Sequence, residues 1–325
     1  MRASRQRLPA DLVSVLGSEP SIASGPELVA GVSADQMPAL TERLRKESEA
    51  VFVDLFGIDR RSRGQGFELH AVFALDQAGT WLHLVAHLPE GSAQYPSLTP
   101  LLPAADWYER EVWDEVGLEA RGHPAMARLR LPSDWPDGVR PLSHTFSCSA
   151  EMPRKGGDVM PKLAAAPAGV VDYPLGPVRS GVVESVHYGL RTVGEELVDV
   201  RLRPFYKHRG MEKMAENLPA IHLPLLAERI SGTSAFAHSL ALCQALEAAV
   251  GVEAPPRALY LRTMLAEIER LYNHLGYQAD LCQATGLVVG QAQMDILKER
   301  VLRLNAVIAG HRYLFGMNVA GGAGP

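Results

Sequence analysis

Side chains that can move protons or carry fixed positive charge crowd two short stretches of this 325-residue chain. The first is His208-Arg209-Gly210-Met211-Glu212-Lys213; the second runs from Glu228 and Arg229 through Ser231, Gly232 and Ser234 to His238. Histidine has an unperturbed pKa near working pH, so His208 and His238, with Glu212, are candidates to exchange protons with a reacting group. Around Arg209 the pattern predicts a strand-to-helix junction, where a cation and exposed backbone N–H groups together raise the local positive potential. An ordinary ion pair at a helix start is the alternative. Ser231 and Ser234 offer hydroxyls, which stay protonated at neutral pH and bind soft metals poorly, whereas thiolates bind them well. No nucleotide-binding glycine loop and no nucleophile–base constellation accompanies these groups, which argues against an independent small-molecule enzyme.

Composition narrows the partners. The formal net charge is −5, and no Lys/Arg cluster reads as a backbone-tracking patch, so nucleic acid is excluded as a partner. Cys148, Cys243 and Cys282 are too scattered for a disulfide framework or a CxxC metal site and suit a reducing cytoplasm. Nowhere do about 18 apolar residues run uninterrupted, so attachment to a membrane is expected only through partners.

The elements that must position these groups follow from periodicity. Residues 37–50 read as a helix, and 51–58, 67–75 and 81–88 as short β-rich runs, giving a small α+β domain over residues 1–147. His83 and His87 share one face of the last run but sit roughly 13 Å apart by strand rise, so a half-exposed strand face explains them better than chelation. Residues 148–174, rich in Pro, Gly, Ala and Lys, read as an extended linker. Beyond it, 182–190 and 196–202 flank a Thr192-Val193-Gly194 turn as a hairpin. Helical spacing then runs over 234–250 with a stop at Gly251, from Pro256 to about His274, and from about Gln291 to Met317. The fold class is an α+β N-terminal domain followed, over 175–325, by a mainly helical bundle domain with a small β-sheet at its start. Glu267, Arg270 and His274 fall at i, i+3 and i+7 on one stripe of the second long helix, either as a paired network or as a solvated face.

Two motif clusters carry a family resemblance. YPSLTPLLPAADWYEREVWDEVGLEARGHP, over 95–124, resembles the signature of the C-type subunit of respiratory complex I and of its counterpart in membrane-bound hydrogenases. Physically it is a helix bearing Glu109, Arg110, Glu111 and Asp114 beside Trp107, Tyr108 and Trp113, which suits docking to a partner or, alternatively, an acid-rich solvated face. KHRGMEKMAE, then ERISGTSAFAH, HSLALCQALE and PPRALYLRTMLAEIERLYNHL resemble the large subunit shared by complex I (its D-type subunit) and nickel–iron hydrogenases. The order C-type domain, linker, D-type domain is most similar to the fused large subunits of formate-hydrogenlyase and hydrogenase-4 complexes.

The resemblance implies a peripheral-arm subunit of an NADH-quinone-oxidoreductase-like (NAD-linked) or hydrogenase-4-like complex on the cytoplasmic face of the cell membrane. Its implied partners are an iron–sulfur small subunit, other peripheral-arm subunits and membrane-arm subunits. Arg209 is implied to lie beside the partner's iron–sulfur cluster, and electrons to pass to an acceptor such as quinone in a cavity lined by His208, Arg209, Glu212, Arg229 and His238, with Ser231, Gly232 and Ser234 on its wall. ERISGTSAFAH is one short edit from the ligand segment ERICGICSFAH, with serine at both cysteine positions. The chain also ends at 321–325, before the region of the family's second cysteine pair. The expectation is a chain with no metal or cofactor held through its own ligands, no nickel–iron centre, and no activity by itself. Gly232 falls where complex I carries its quinone-facing tyrosine, and residues 178–180 carry no histidine, which sets the site apart from complex I as well. The resemblance then fits better with energy-converting hydrogenase-related complexes, which keep the scaffold and lack the nickel ligands. A redox-inactive structural subunit joining the small subunit to the membrane arm is the alternative.

Overall fold

The computed structural model describes residues 10–17, 20–22, 27–149, 151–152, 165–178 and 185–324. Residues 150 and 153–164 of the expected linker over 148–174, residues 179–180 of the 178–180 loop and the first residues of the expected 182–190 strand lie outside these, while residues 171–174 of that linker belong to a strand. The chain divides into two compact units, one up to Gly210 and one from Met211 onward.

In the first unit, α1 (Ala10–Leu16), β1 (Ser21–Ile22), β2 (Glu27–Val32), α2 (Met37–Glu47), β3 (Val51–Asp59), β4 (Phe67–Leu75) and β5 (Thr80–Leu88) come first. They are followed by β6 (Gln94–Pro96), α3 (Asp106–Glu115) and β7 (Glu119–Arg121). The main sheet has order β1-β2-β5-β4-β3, parallel only where β2 meets β5. Alternation sets its buried face: Leu69, Ala71 and Phe73 of β4 and Leu82, Leu84 and Ala86 of β5 point the same way. They form one core with Leu12 and Val15 of α1, Met37 and Leu44 of α2, and Val112 of α3. The three β-rich runs and the helix at 37 thus fold as their patterns predict. A second, three-stranded sheet of order β10-β9-β8 joins β8 (Val171–Leu175), β9 (His187–Val193) and β10 (Glu196–Arg203). The hairpin between β9 and β10 turns at Gly194-Glu195, about one residue later than expected.

The second unit contains α4 (Met211–Ala215), α5 (Leu223–Ala227), α6 (Ala235–Val250), α7 (Pro256–Ala284), α8 (Val288–Ala309) and a short hairpin of β11 (Asn318–Val319) and β12 (Gly322–Ala323). Gly251 ends α6 at φ 70, a left-handed conformation that glycine adopts without Cβ strain. Pro256 opens α7 at its first position. Two boundaries differ from expectation. α7 runs ten residues past His274 because nothing there stops a helix; the first left-handed glycine is Gly286. α8 ends at Ala309 rather than near Met317, since Gly310 takes φ 69 and breaks the periodic stretch. Among the described residues no helix is long and apolar enough to cross a membrane.

Candidate functional site

The signature helix α3 corrects an expectation. Its acids are not one solvated face: Glu109 and Asp114 are completely buried, Glu111 is partly exposed, and Trp107 is 44% exposed. Glu109 accepts hydrogen bonds from Ser97 Oγ (2.6 Å), Thr99 Oγ1 (2.6 Å) and the Leu98 backbone N–H (2.7 Å). Asp114 accepts from the backbone N–H groups of Leu129, Arg130 and Leu131. A buried carboxylate is tolerated only when it is paired or hydrogen-bonded in this way. The conspicuous acids of this motif therefore pin the 97–99 and 129–131 segments to the helix.

Beyond β10 the first unit ends in residues 204–210. Arg209 is exposed there, and His208 is partly buried with its Nε2 3.3 Å from Glu115 Oε1 at the end of α3. Glu212 and Lys213 follow in α4, at the start of the second unit. Glu212 is exposed, whereas Lys213 is 7% exposed and pairs with Glu216 at 2.7 Å.

In the second unit residues 228–238 form a tightly held turn running from α5 into α6. Glu228, fully buried, accepts from the Gly316 N–H (2.6 Å) and from Arg229 Nη1 (2.8 Å). The Arg229 guanidinium lies 4.8 Å from the centroid of the Phe315 ring, which in turn stacks on His311 at 4.3 Å. Tyr272 Oη and Asn273 Nδ2 both donate to the Thr233 carbonyl at 2.8 Å. The first turn of α6 is satisfied from outside: Glu269 accepts from the N–H groups of Phe236 (2.8 Å) and Ala237 (2.9 Å). That carboxylate caps orphan donors as an N-cap side chain would, from the neighbouring helix. Burial nonetheless pushes the Glu269 carboxyl above its ordinary range, against the hydrogen bonds of those two N–H groups, with Tyr272 and His238 acting in the same lowering sense. The Tyr272 phenol is driven up by burial and by Glu269.

On this frame Ser231 and Thr233 bring their hydroxyl oxygens to 3.4 Å, Gly232 is exposed with open space where a side chain would stand, and Ser234 is partly buried. His238 follows within the first turn of α6. The structure thus brings Arg229, Ser231, Gly232, Ser234 and His238 together on one turn of the second unit, and keeps His208 and Arg209 in the first. As donors, the hydroxyls of Ser231 and Ser234 do not fit a soft metal. Among the described residues no group of three or more His, Cys, Asp and Glu side chains is arranged to hold a metal ion.

The residues that hold this turn are ones the motifs contain but periodicity alone had not singled out. The buried positions of α7 are Ala258, Arg262, Leu265, Glu269, Tyr272, Gly276 and Ala279, an alternation of four- and three-residue steps. Arg262 and Glu269 stand on that stripe, which was the available signal that they are internal. Arg262 closes on Glu247 of α6 at 2.5 Å and donates to the Val319 and Gly322 carbonyls, fastening the β11–β12 hairpin. Glu267 and Arg270 lie off the stripe, paired at 2.7 Å and both more than half exposed, so of the two readings of that face the solvated one holds.

Comparison with known proteins agrees with the motif reading. Residues 30–152 match the family described as Respiratory-chain NADH dehydrogenase, 30 Kd subunit. The chain is 33% identical over 304 residues to formate hydrogenlyase subunit 5 of Escherichia coli (strain K12), covering 91% of this chain and 53% of that one. It is 32% identical over 296 residues to hydrogenase-4 component G of the same organism, covering 90% and 53%. With the C/D subunit of NADH-quinone oxidoreductase from Gluconacetobacter diazotrophicus it shares 29% over 310 residues, covering 87% and 51%. The chain therefore spans about half the length of the curated relatives it matches.

Proposed function

This chain is a homologue of formate hydrogenlyase subunit 5, hydrogenase-4 component G and the C/D subunit of NADH-quinone oxidoreductase, and from that premise we propose that it is a peripheral-arm subunit of a membrane-bound oxidoreductase complex. Residues 1–147 are its C-type part and 175–325 its D-type part, joined by 148–174. An iron–sulfur small subunit binds beside the loop bearing Arg209, and the assembly reaches the cytoplasmic face of the membrane through membrane-arm partners. Electrons delivered by that neighbour reduce an acceptor of the quinone class at the 229–238 turn. Arg229 supplies fixed positive charge there, and His238, with His208 and Glu212, exchanges the protons that reduction requires.

One observation carries this reading: the 228–238 turn keeps a hydrogen-bonded frame from Glu228, Glu269, Tyr272 and Asn273 while offering serine hydroxyls in the positions the resemblance assigns to ligands. The donor set does not fit a nickel–iron centre, so no hydrogen chemistry is assigned to it. The same serines favour a second reading, a subunit that only links the small subunit to the membrane arm.

Purification of the chain with its neighbours, elemental analysis, and assays of quinone reduction against hydrogen oxidation test the proposal. Iron without stoichiometric nickel, together with quinone turnover, is expected. Stoichiometric nickel overturns the reading of the serines; an intact assembly that reduces no quinone leaves the purely structural role.

A further inference from the structure

Residues 203–208 are gripped by the first unit at three points. Arg203 donates to the carbonyls of Leu129 (2.8 Å) and Leu131 (2.8 Å), and at 3.3 Å to that of Arg128. Phe205 holds φ 65, a left-handed conformation that a residue with a Cβ avoids by about 1–2 kcal/mol. Such strain persists only where the surroundings fix it. Here the Phe205 ring meets Trp107 of α3 edge-on at 5.9 Å between centroids, and the Arg130 guanidinium lies 6.0 Å from the centroid of the Phe205 ring. The third point is His208, whose Nε2 stands 3.3 Å from Glu115 Oε1.

Glu115 is only 2% exposed, and the same oxygen lies 3.4 Å from Arg130 Nε, while Arg130 Nη1 also bonds Glu111 one helical turn earlier. Oε1 of Glu115 therefore lies at ion-pair distance from both Arg130 and His208, the imidazole being cationic only when protonated, and a carboxylate this deeply buried is tolerated only beside such a partner. We infer that Glu115 is a positioning residue: through His208 it fixes the course of the 207–210 loop, so that the N-terminal signature helix decides where Arg209 stands. The geometry is a property of the chain; its consequence for electron transfer rests on the function proposed above.

Two measurements separate these levels. In the full chain carrying ¹⁵N-labelled histidine, the ring resonances lost in His208→Gln identify residue 208. Glu115→Gln is expected to shift those resonances and leave those of His83 and His87 in place; unmoved resonances overturn the clamp. In the assembled complex, Glu115→Gln and His208→Gln are each expected to slow electron transfer by about ten- to a hundredfold, as misplacement remote from the chemistry does. The double variant should be no slower than the slower single one, the mark of two residues acting as a unit. Additive losses overturn the positioning role. Shifted resonances with unchanged rates leave the clamp standing and overturn the electron-transfer reading of the loop instead. Should Glu115→Gln fail to fold, Glu115→Asp withdraws the carboxylate by one methylene and is read by the same resonances and rates.

Discussion

Glu247 and Glu269 are both buried acids of the second unit, yet their surroundings push them in opposite directions. The Arg262 hydrogen bond holds Glu247 below the ordinary carboxylate range, outweighing burial, with the Gly321 N–H adding to it. For Glu269 burial prevails over the two α6 N–H groups and raises it. The linkage signs are therefore opposite. A depressed acid contributes stability that is present above its unfolded pKa and lost as pH falls through the folded one. A raised acid contributes stability that is present below its unfolded pKa and lost as pH rises through the folded one. Urea unfolding at a series of pH values is expected to show the advantage of wild type over Glu247→Gln shrinking toward acid. Its advantage over Glu269→Gln should shrink toward neutrality. Parallel slopes for the two variants would refute the assignment of their environments.

At the scale of elements, α7 organises the second unit through its alternating stripe, with Leu265 in a cluster with Phe236, Leu314 and Met317. Leu265→Ala should destabilise by about 2–5 kcal/mol, as cavity-forming substitutions do. Leu271→Ala, on a face where that side chain is 49% exposed, should stay within about 0.5 kcal/mol. Denaturant titration distinguishes them directly. Much of this architecture was legible in the sequence. The β-rich runs at 51, 67 and 81 and the stop at Gly251 show through because period-two alternation and a left-handed glycine are local signals. The boundaries of α7 and α8 were less so, since their ends rest on which glycine adopts positive φ, and Gly276 is helical while Gly286 and Gly310 are not. The roles of Glu109, Asp114 and Glu115 were hidden for a different reason. Their hydrogen-bond or ion-pair partners come from segments 10 to 93 positions away, and an acid on a short helix looks solvated until those segments are in place.

For the whole molecule, the family resemblance points to an assembly, and two regions of the structure are the ones the proposed function uses. The C-type region carries a sheet-and-helix core whose signature helix α3 holds the loop leading to Arg209. The second unit carries a turn whose backbone is fixed from α7 and from the 316–318 segment, with hydroxyls where thiolates would stand. Tyr272, Asn273 and Glu269 hold the turn around the serines through hydrogen bonds from and to its backbone. The central claim is that this scaffold still serves electron transfer. It is tested most directly by the electron-transfer rate of the assembled complex bearing Arg209→Ala or His238→Ala. Both rates should fall by about tenfold or more, the loss expected when a charge or proton-exchanging group leaves the reacting centre. Rates unchanged from wild type in both variants would contradict the claim.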